Sequence, residues 1–331
     1  MSFWRKSLPT IFRTNICKME YRKLGKSGIL VSRLCFGTLT VGPLQKGLSY
    51  LQGGRLMAQA FSGGVTCLDT AEYYENYGHI REGIRFFPDV VVMTKSYAYD
   101  RAWAAESVGR AMNALGRNQI DVMMLHEQES VHTLRGHREA LDYYLALKEK
   151  GVIKAVGVST HFVGCAAAVA KMPQVDVLSV PLNWKGYGIM DGSLLDMLSV
   201  IREAKQAGKG ITAMKPLGGG HLSGGAREAL DYVAGLEDVD CIPLGMQNAL
   251  EVDCNLAYFN GNPQEDLFIK THGQARRLHI ADWCVGCGAC AARCKQRAIR
   301  VEDGRAKVDQ ERCVLCGYCA KECPEFCIKV Y

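Results

Sequence analysis

No apolar run in the 331-residue sequence approaches the ~18 residues of a membrane-spanning helix, so no transmembrane helix is expected. A dense basic stripe is also lacking. The net charge of +6, left by 40 Lys+Arg against 34 Asp+Glu, gives no footing for nucleic-acid binding. Residues 1–18 are basic and free of acids, but they lack the apolar core of a secretory signal. They are expected to be a short extension, with a natural strand opening at Met19 in MEYRKLG. No G-x-G-x-x-G follows the first strand-like run, which weakens the case for a dinucleotide-binding open sheet. Cysteine is sparse over residues 1–283, which hold six of the 15. Without a secretory signal these six read as small buried side chains rather than a disulfide scaffold. The other nine crowd into residues 284–327. They call for ligand chemistry, hence a reducing, cytoplasmic location.

From residue 31 to about 261 short β-branched runs alternate with longer amphipathic ones. The strand candidates are Val31–Gly37, Thr66–Thr70, Val90–Lys95, Ile120–His126, Ile153–Ser159, Val175–Leu182, Gly210–Lys215 and Cys241–Leu244. Runs such as VVVM and DVMML suit strands buried on both faces. Between them, RAWAAESVGRAMNALG sets Ala104, Val108, Ala111 and Leu115 on one helical face and stops at Gly116. SLLDMLSVIREAKQAG does the same with Leu194, Leu198, Ile201 and Lys205 before Gly208. Eight strand–helix units predict an α/β protein with a (β/α)8 TIM barrel over residues 19–261, with its chemistry at the C-terminal strand ends. An open doubly wound sheet is the rival. Residues 262–277 read as a connector, and residues 278–331 as a separate cysteine module.

Three successive strand candidates finish in an ionisable group. Asp69 ends the second, with Tyr74 five residues on; Lys95 ends the third; His126 ends the fourth. Taken singly, an Asp there caps a turn, a Lys reaches solvent and a His fills a structural role. On consecutive strands of a barrel they converge on one rim. The segment from about 20 to 261 resembles the aldo-keto reductase family, whose D-T-A-x-x-Y motif is met by Asp69, Thr70, Ala71 and Tyr74. The resemblance implies nicotinamide binding without a Rossmann motif and an Asp, Tyr, Lys, His tetrad at Asp69, Tyr74, Lys95 and His126. Carbonyl reduction leaves charge on oxygen, which a proton donor must meet. Tyrosine titrates near ~10, and a nearby cation favours the phenolate. Lys95 is therefore expected to lower Tyr74, Asp69 to hold Lys95, and His126 to orient the carbonyl.

The resemblance also implies cofactor contacts at Gly37, Thr38, Ser159, Ser179, Met214, Pro216, Leu217, Gly245, Met246, Glu251 and Asn255. Several depart from the family pattern. Ser179 stands where a Gln is typical, and Met214 where many members stack an aromatic ring. Gly245 and Met246 replace a Lys-Ser pair, and Glu251 replaces an Arg that grips the 2′-phosphate of NADPH. A carboxylate there repels that phosphate and accepts from a ribose hydroxyl, so NAD(H) is expected over NADP(H). A flavin is an open alternative. Lys215 and His221 near the rim would suit an anionic substrate.

The cysteine module repeats C-x2-C-x2-C-x3-C, first at Cys284, Cys287, Cys290 and Cys294, then at Cys313, Cys316, Cys319 and Cys323 before Pro324. Zinc is the rival, but such triplets fit it poorly. The pattern resembles the bacterial two-cluster ferredoxin, with two [4Fe–4S] clusters and the fourth Cys of each run serving the other cluster. That implies one cluster on Cys284, Cys287, Cys290 and Cys323, and another on Cys313, Cys316, Cys319 and Cys294. Lys295 replaces the usual proline after Cys294, and Cys327 is left over as a packed thiol. The sequence between the runs reads as a hairpin turning at Asp303-Gly304. The expected whole is a nicotinamide-dependent oxidoreductase of an aldehyde, ketone or alcohol, with clusters that exchange electrons with a partner redox protein or serve as structure. The alternative is a nucleotide-binding electron carrier or redox sensor with little turnover.

Overall fold

The computed structural model describes residues 19–272 and 276–330. The chain opens with a hairpin, β1 (Tyr21–Lys23) against β2 (Leu30–Ser32). Strand β3 (Leu34–Gly37) follows at once, so the run expected as one strand from Val31 is two, broken at Arg33. The reason is a change of partner: β2 pairs back to β1, while β3 joins the barrel. Helix α1 (Tyr50–Ser62), β4 (Cys67–Asp69), α2 (Tyr77–Ile84), β5 (Val91–Ser96), α3 (Arg101–Leu115) and β6 (Ile120–Gln128) come next. Then follow α4 (Val131–Gly136), α5 (Arg138–Glu149), β7 (Ile153–Thr160), α6 (Val163–Ala170), β8 (Val177–Pro181), α7 (Leu194–Gln206) and β9 (Gly210–Met214). Helix α8 (Ala226–Ala234), β10 (Ile242–Gly245), α9 (Ala249–Phe259) and α10 (Glu265–His272) complete this part.

Strands β3 to β10 form one parallel sheet in the order β10-β3-β4-β5-β6-β7-β8-β9. Its ends meet through the parallel bridge Thr212↔Cys241 and the Ala213 N–H to Cys241 O bond of 3.0 Å, closing an eight-stranded barrel. Strand period two sorts the side chains. Phe36, Leu68, Val92 and Leu178 point out and pack under the helices. Cys35, Cys67, Met93, Val122, Met124 and Val177 share an inner core, which the hairpin's Leu24 and Val31 join. Five of the six scattered cysteines are buried; Cys17 lies outside the described residues.

Helix α3 buries Ala104, Val108, Ala111 and Leu115 as its periodicity predicts, and stops at Gly116 with φ 68°. Helix α7 is rotated from expectation: Met197, Val200, Ile201 and Ala204 are buried, and Lys205 instead reaches Asp240 in an ion pair. The expected connector holds α10, whose Phe268 packs into the barrel core.

The cysteine module contains β11 (Leu278–Ile280), α11 (Ala289–Arg293), β12 (Ile299–Glu302), β13 (Arg305–Val308), α12 (Tyr318–Lys321) and β14 (Ile328–Val330). Two antiparallel pairs form, β11 with β14 and β12 with β13. Asp303 (φ 51°) and Gly304 (φ 71°) make the expected tight turn. The two repeats share their special backbone positions: Gly286 with Leu315, Gly288 with Gly317, and Arg297 with Phe326 are all left-handed.

Candidate active site

The rim where the barrel strands end gathers all four predicted polar groups. Lys95 is fully buried and gives its three protons to Asp69 Oδ1 (2.7 Å), Asp69 Oδ2 (2.8 Å) and Thr70 O (2.7 Å). Its Nζ lies 5.5 Å from the centroid of the Tyr74 ring. The His126 ring stands edge-on to Tyr74, centroids 5.8 Å apart. An irregularity in the β6–β7 pairing between Leu125 and Gln128, with Glu127 at φ 46°, falls at this point of the strand.

Burial dominates the electrostatics. It holds the Tyr74 phenol well above its ordinary value, and the Asp69 charge adds to the effect. The lowering expected from Lys95 does not prevail, because burial outweighs it and the Asp69 carboxylate beside Lys95 pushes the other way. Tyr74 is thus a neutral phenol with a proton to give. Burial, then the charges of Lys95 and Lys215, hold His126 well below the usual imidazole value, so it is a neutral ring. Its Nδ1 has no partner among the described residues.

A cavity runs from Asp69 and Tyr74 past Gly37, Thr38, Met214, Pro216, Leu217 and Gly245 to Glu251. These bring together seven of the eleven expected cofactor residues. Ser159, Ser179, Met246 and Asn255 are buried but lie outside this lining. Ser159 Oγ accepts from the Glu127 N–H at 2.9 Å. Among the described residues, Ser179 Oγ and both amide atoms of Asn255 are buried without partners, an expensive state. Glu251 is not free on a helix surface. It accepts from Gln247 N–H (2.8 Å) and Asn248 Nδ2 (3.0 Å) and pairs with Arg276 (3.2 Å). Lys215 also lines this cavity, whereas His221 Nε2 is turned to the Cys313 carbonyl.

The cavity's remaining wall was not legible in the sequence: Val314, Leu315 and Cys316 of the cysteine module close it. The module sits on the barrel mouth. Two glycines with positive φ permit the close approach. A Cβ on Gly219 of the barrel (φ 76°) would stand 2.1 Å from Val314 O, and one on Gly317 of the module (φ 78°) would stand 2.3 Å from Leu44 O. Arg293 lies over the rings of Tyr73 (4.6 Å), Tyr318 (4.8 Å) and Tyr97 (5.8 Å). Tyr97 in turn stacks on His126 at 4.4 Å, and Tyr318 leans on Tyr74 at 6.3 Å. Lys295, where proline was expected, reaches across to Glu129 at 2.6 Å. Arg293 and Tyr318 adjoin Cys294 and Cys319, and that adjacency was the only signal in the sequence that could have marked them.

The cysteines gather into two sets. Cys294, Cys313, Cys316 and Cys319 line an inner cavity beside the barrel. Cys284, Cys287, Cys290 and Cys323 line an outer one, together with Cys327. Backbone N–H groups point at the sulfurs: Gly286 (3.5 Å) and Ala306 (3.4 Å) at Cys284, and Ala298 (3.4 Å) at Cys294. Those on Cys284 hold its thiol below the ordinary value. Thiol-lined cavities with aimed donors fit iron–sulfur clusters.

Residues 33–274 match the model of the aldo/keto reductase family, and residues 283–327 that of the 4Fe-4S dicluster domain. L-galactose dehydrogenase of Arabidopsis thaliana is 23% identical over 219 residues, covering 62% of this chain and 68% of that protein. D-arabinose 1-dehydrogenase of Saccharomyces cerevisiae is 28% identical over 170 residues, 45% and 50% of the two chains. An aldo-keto reductase from Bacillus halodurans in its holo form superposes with a TM-score of 0.61 at 17% identity, over 77% of this chain and all (100%) of that one, a likeness of fold.

Proposed function

The chain belongs to the aldo/keto reductase family and carries a 4Fe-4S dicluster domain, and we propose that it reduces a small aldehyde or ketone, or oxidises the alcohol, in a site coupled to the iron–sulfur domain. One observation carries the coupling. Val314 and Cys316 line both the cavity that reaches Tyr74 and the inner cysteine cavity, so one layer of side chains separates them.

In this reading a nicotinamide supplies hydride and the clusters supply or accept single electrons. Gly37, Thr38, Met214, Pro216, Leu217 and Gly245 would hold the nucleotide, with Ser159, Ser179, Met246 and Asn255 behind them. Cys294, Cys313, Cys316 and Cys319 would hold the inner cluster, and Cys284, Cys287, Cys290 and Cys323 the outer. Tyr74 carries the proton at its phenolic oxygen and delivers it to the carbonyl oxygen. Neutral His126 donates a hydrogen bond to the same oxygen and orients it. Asp69 fixes Lys95, whose cation stabilises phenolate only as the proton leaves. NAD(H) is favoured over NADP(H) because Glu251 repels a 2′-phosphate; Arg276 offsets part of that repulsion. Leu315 and Tyr318 over the mouth restrict the substrate to a small molecule. Exposed Trp283, Val285 and Phe326 in the module offer an apolar face to a one-electron partner protein. A flavin in the cavity would convert between paired and single electrons.

The test is NADH consumption with a panel of small aldehydes, alongside visible and EPR spectra of the anaerobic protein before and after NADH. Tyr74→Phe is expected to abolish turnover and leave nucleotide binding near wild type. Turnover within tenfold of wild type removes Tyr74 as the acid. Binding without turnover in the wild type assigns the barrel to an electron carrier. Tighter NADPH than NADH overturns the nucleotide preference.

A further inference from the structure

Cys327, left over by the sequence pattern, sits in the wall of the outer cysteine cavity. Its Sγ is 3.3 Å from Sγ of Cys323. It is buried, and it also neighbours Cys284 closely enough to interact with that thiol. Five thiols therefore face a cavity whose cubane has four iron corners. Ligands on different corners of a cubane point apart and stand much further from each other than 3.3 Å. As placed, Cys323 and Cys327 could not each hold a separate corner, so only one of the two would serve a cluster at a time.

The internal repeat shows that packing does not ask for this thiol. Cys294 in the first repeat corresponds to Cys323 in the second, and four residues on the matching positions are Ala298 and Cys327. Both are buried just before a strand, β12 and β14, and the carbonyl of each accepts an N–H at 2.8 Å, from Asp309 and Ala281 respectively. A methyl group fills the place beside the inner cavity; a thiol occupies it only beside the outer one. The two cavities also differ in exposure. The inner one is closed by the barrel, whereas Cys287 of the outer one is exposed.

Resting on the iron–sulfur reading of this module, we propose that Cys327 is a reserve ligand for the outer cluster, taking the iron corner of Cys323 when that thiolate is released. The exchange forms one Fe–S(Cys327) bond and breaks one Fe–S(Cys323) bond. A proton passes from the Cys327 thiol to the departing Cys323 thiolate, and no iron changes oxidation state. The reserve thiol keeps a solvent-facing cluster whole through transient loss of a ligand.

The experiment uses full-length protein, purified anaerobically, with iron and sulfide counted and the reduced clusters followed by EPR. Wild type should hold eight irons per chain; a lower count with no two-cluster spectrum would sink the iron–sulfur reading itself. Given eight in wild type, Cys323→Ala should retain eight with an altered EPR signal, and Cys323→Ala/Cys327→Ala should fall to four. A single variant that falls to four, as the double does, overturns the proposal. Should Cys323→Ala not fold, Cys327→Ala decides it. This variant should lose the outer cluster's iron to a chelator severalfold faster than wild type, and equal rates would overturn the reserve role.

Discussion

Replacing Lys95 with methionine separates the chemistry of the site from the energetics of its buried charge. In the native barrel Asp69 is almost wholly buried, and two of the three Lys95 donors satisfy it at 2.7 and 2.8 Å. Lys95→Met leaves that carboxylate without a counter-ion, which costs about 3–5 kcal/mol. The Thr70 carbonyl loses its partner as well. At roughly 2–4 °C per kcal/mol for a domain of this size, the melting temperature should drop by about 6–20 °C. The cost has a pH signature. Burial already raises the Asp69 value against the pull of Lys95. Without Lys95 it rises further above the unfolded value near ~3.9. A carboxylate with a raised folded value binds its proton more tightly folded than unfolded, so stability is lost as pH rises through the folded value. The deficit of Lys95→Met should therefore be larger at pH 8 than at pH 6. Asp69→Asn/Lys95→Met removes both charges and should recover most of the stability, yet stay inactive. Thermal unfolding by far-UV circular dichroism at both pH values, with iron content checked, reads all three proteins. A single variant within about 1 kcal/mol of wild type, or a double variant as unstable as the single, would refute the reasoning.

Two further outcomes follow from groups outside the tetrad. His161 is buried, donates a 2.6 Å hydrogen bond from Nδ1 to Gly188 O, and burial holds it down at about 3. The unfolded chain takes up that proton first, near pH ~6.5, so the stability His161 confers at neutral pH is lost on acidification, by about 1.4 kcal/mol at pH 5.5. His161→Gln should show a shallower acid slope in unfolding measurements, and an unchanged slope would clear His161 of the effect. Gly219→Ala puts a methyl 2.1 Å from Val314 O in a left-handed backbone. It should lift the cysteine module from the barrel and speed hydrogen exchange at residues 313–318 at least tenfold, with iron content kept; unchanged exchange would show that the contact yields elsewhere.

What was legible in the sequence was what local chemistry dictates. Nearly apolar runs gave the barrel strands, and each ionisable strand end landed on one rim because parallel strands of a barrel deliver their C-termini there. The helix over 101–115 was legible because its apolar spacing is clean; that over 194–206 was misjudged by a rotation because apolar residues lie all round it, with Leu195 exposed and Leu194 and Leu198 only partly buried. The break at Arg33 was hidden because the residues on both sides are β-formers, and only the change of partner from β1 to β4 separates them. The sign of the Tyr74 shift was missed for a related reason: a charge partner can be named from sequence, but the depth of burial that outweighs it cannot.

The docking of the module was hidden for a deeper reason. Nothing in CVLCGYC states that Gly317 will meet Leu44 O, or that GGGH around Gly219 will meet Val314. Both contacts are backbone against backbone, where the informative residue is one with no side chain. Once the two glycines have met, the rest is dictated. Cys316 is carried to the cavity wall, and Tyr318 and Arg293 are pressed among Tyr73, Tyr74 and Tyr97. A module tethered only as a structural weight would have no need to place a cysteine of its inner set, rather than an apolar filler, at the wall of the cavity that reaches Tyr74. Under the proposed function, that placement argues for coupling over mere tethering, and Cys316 would be the position at which the two proposed chemistries meet.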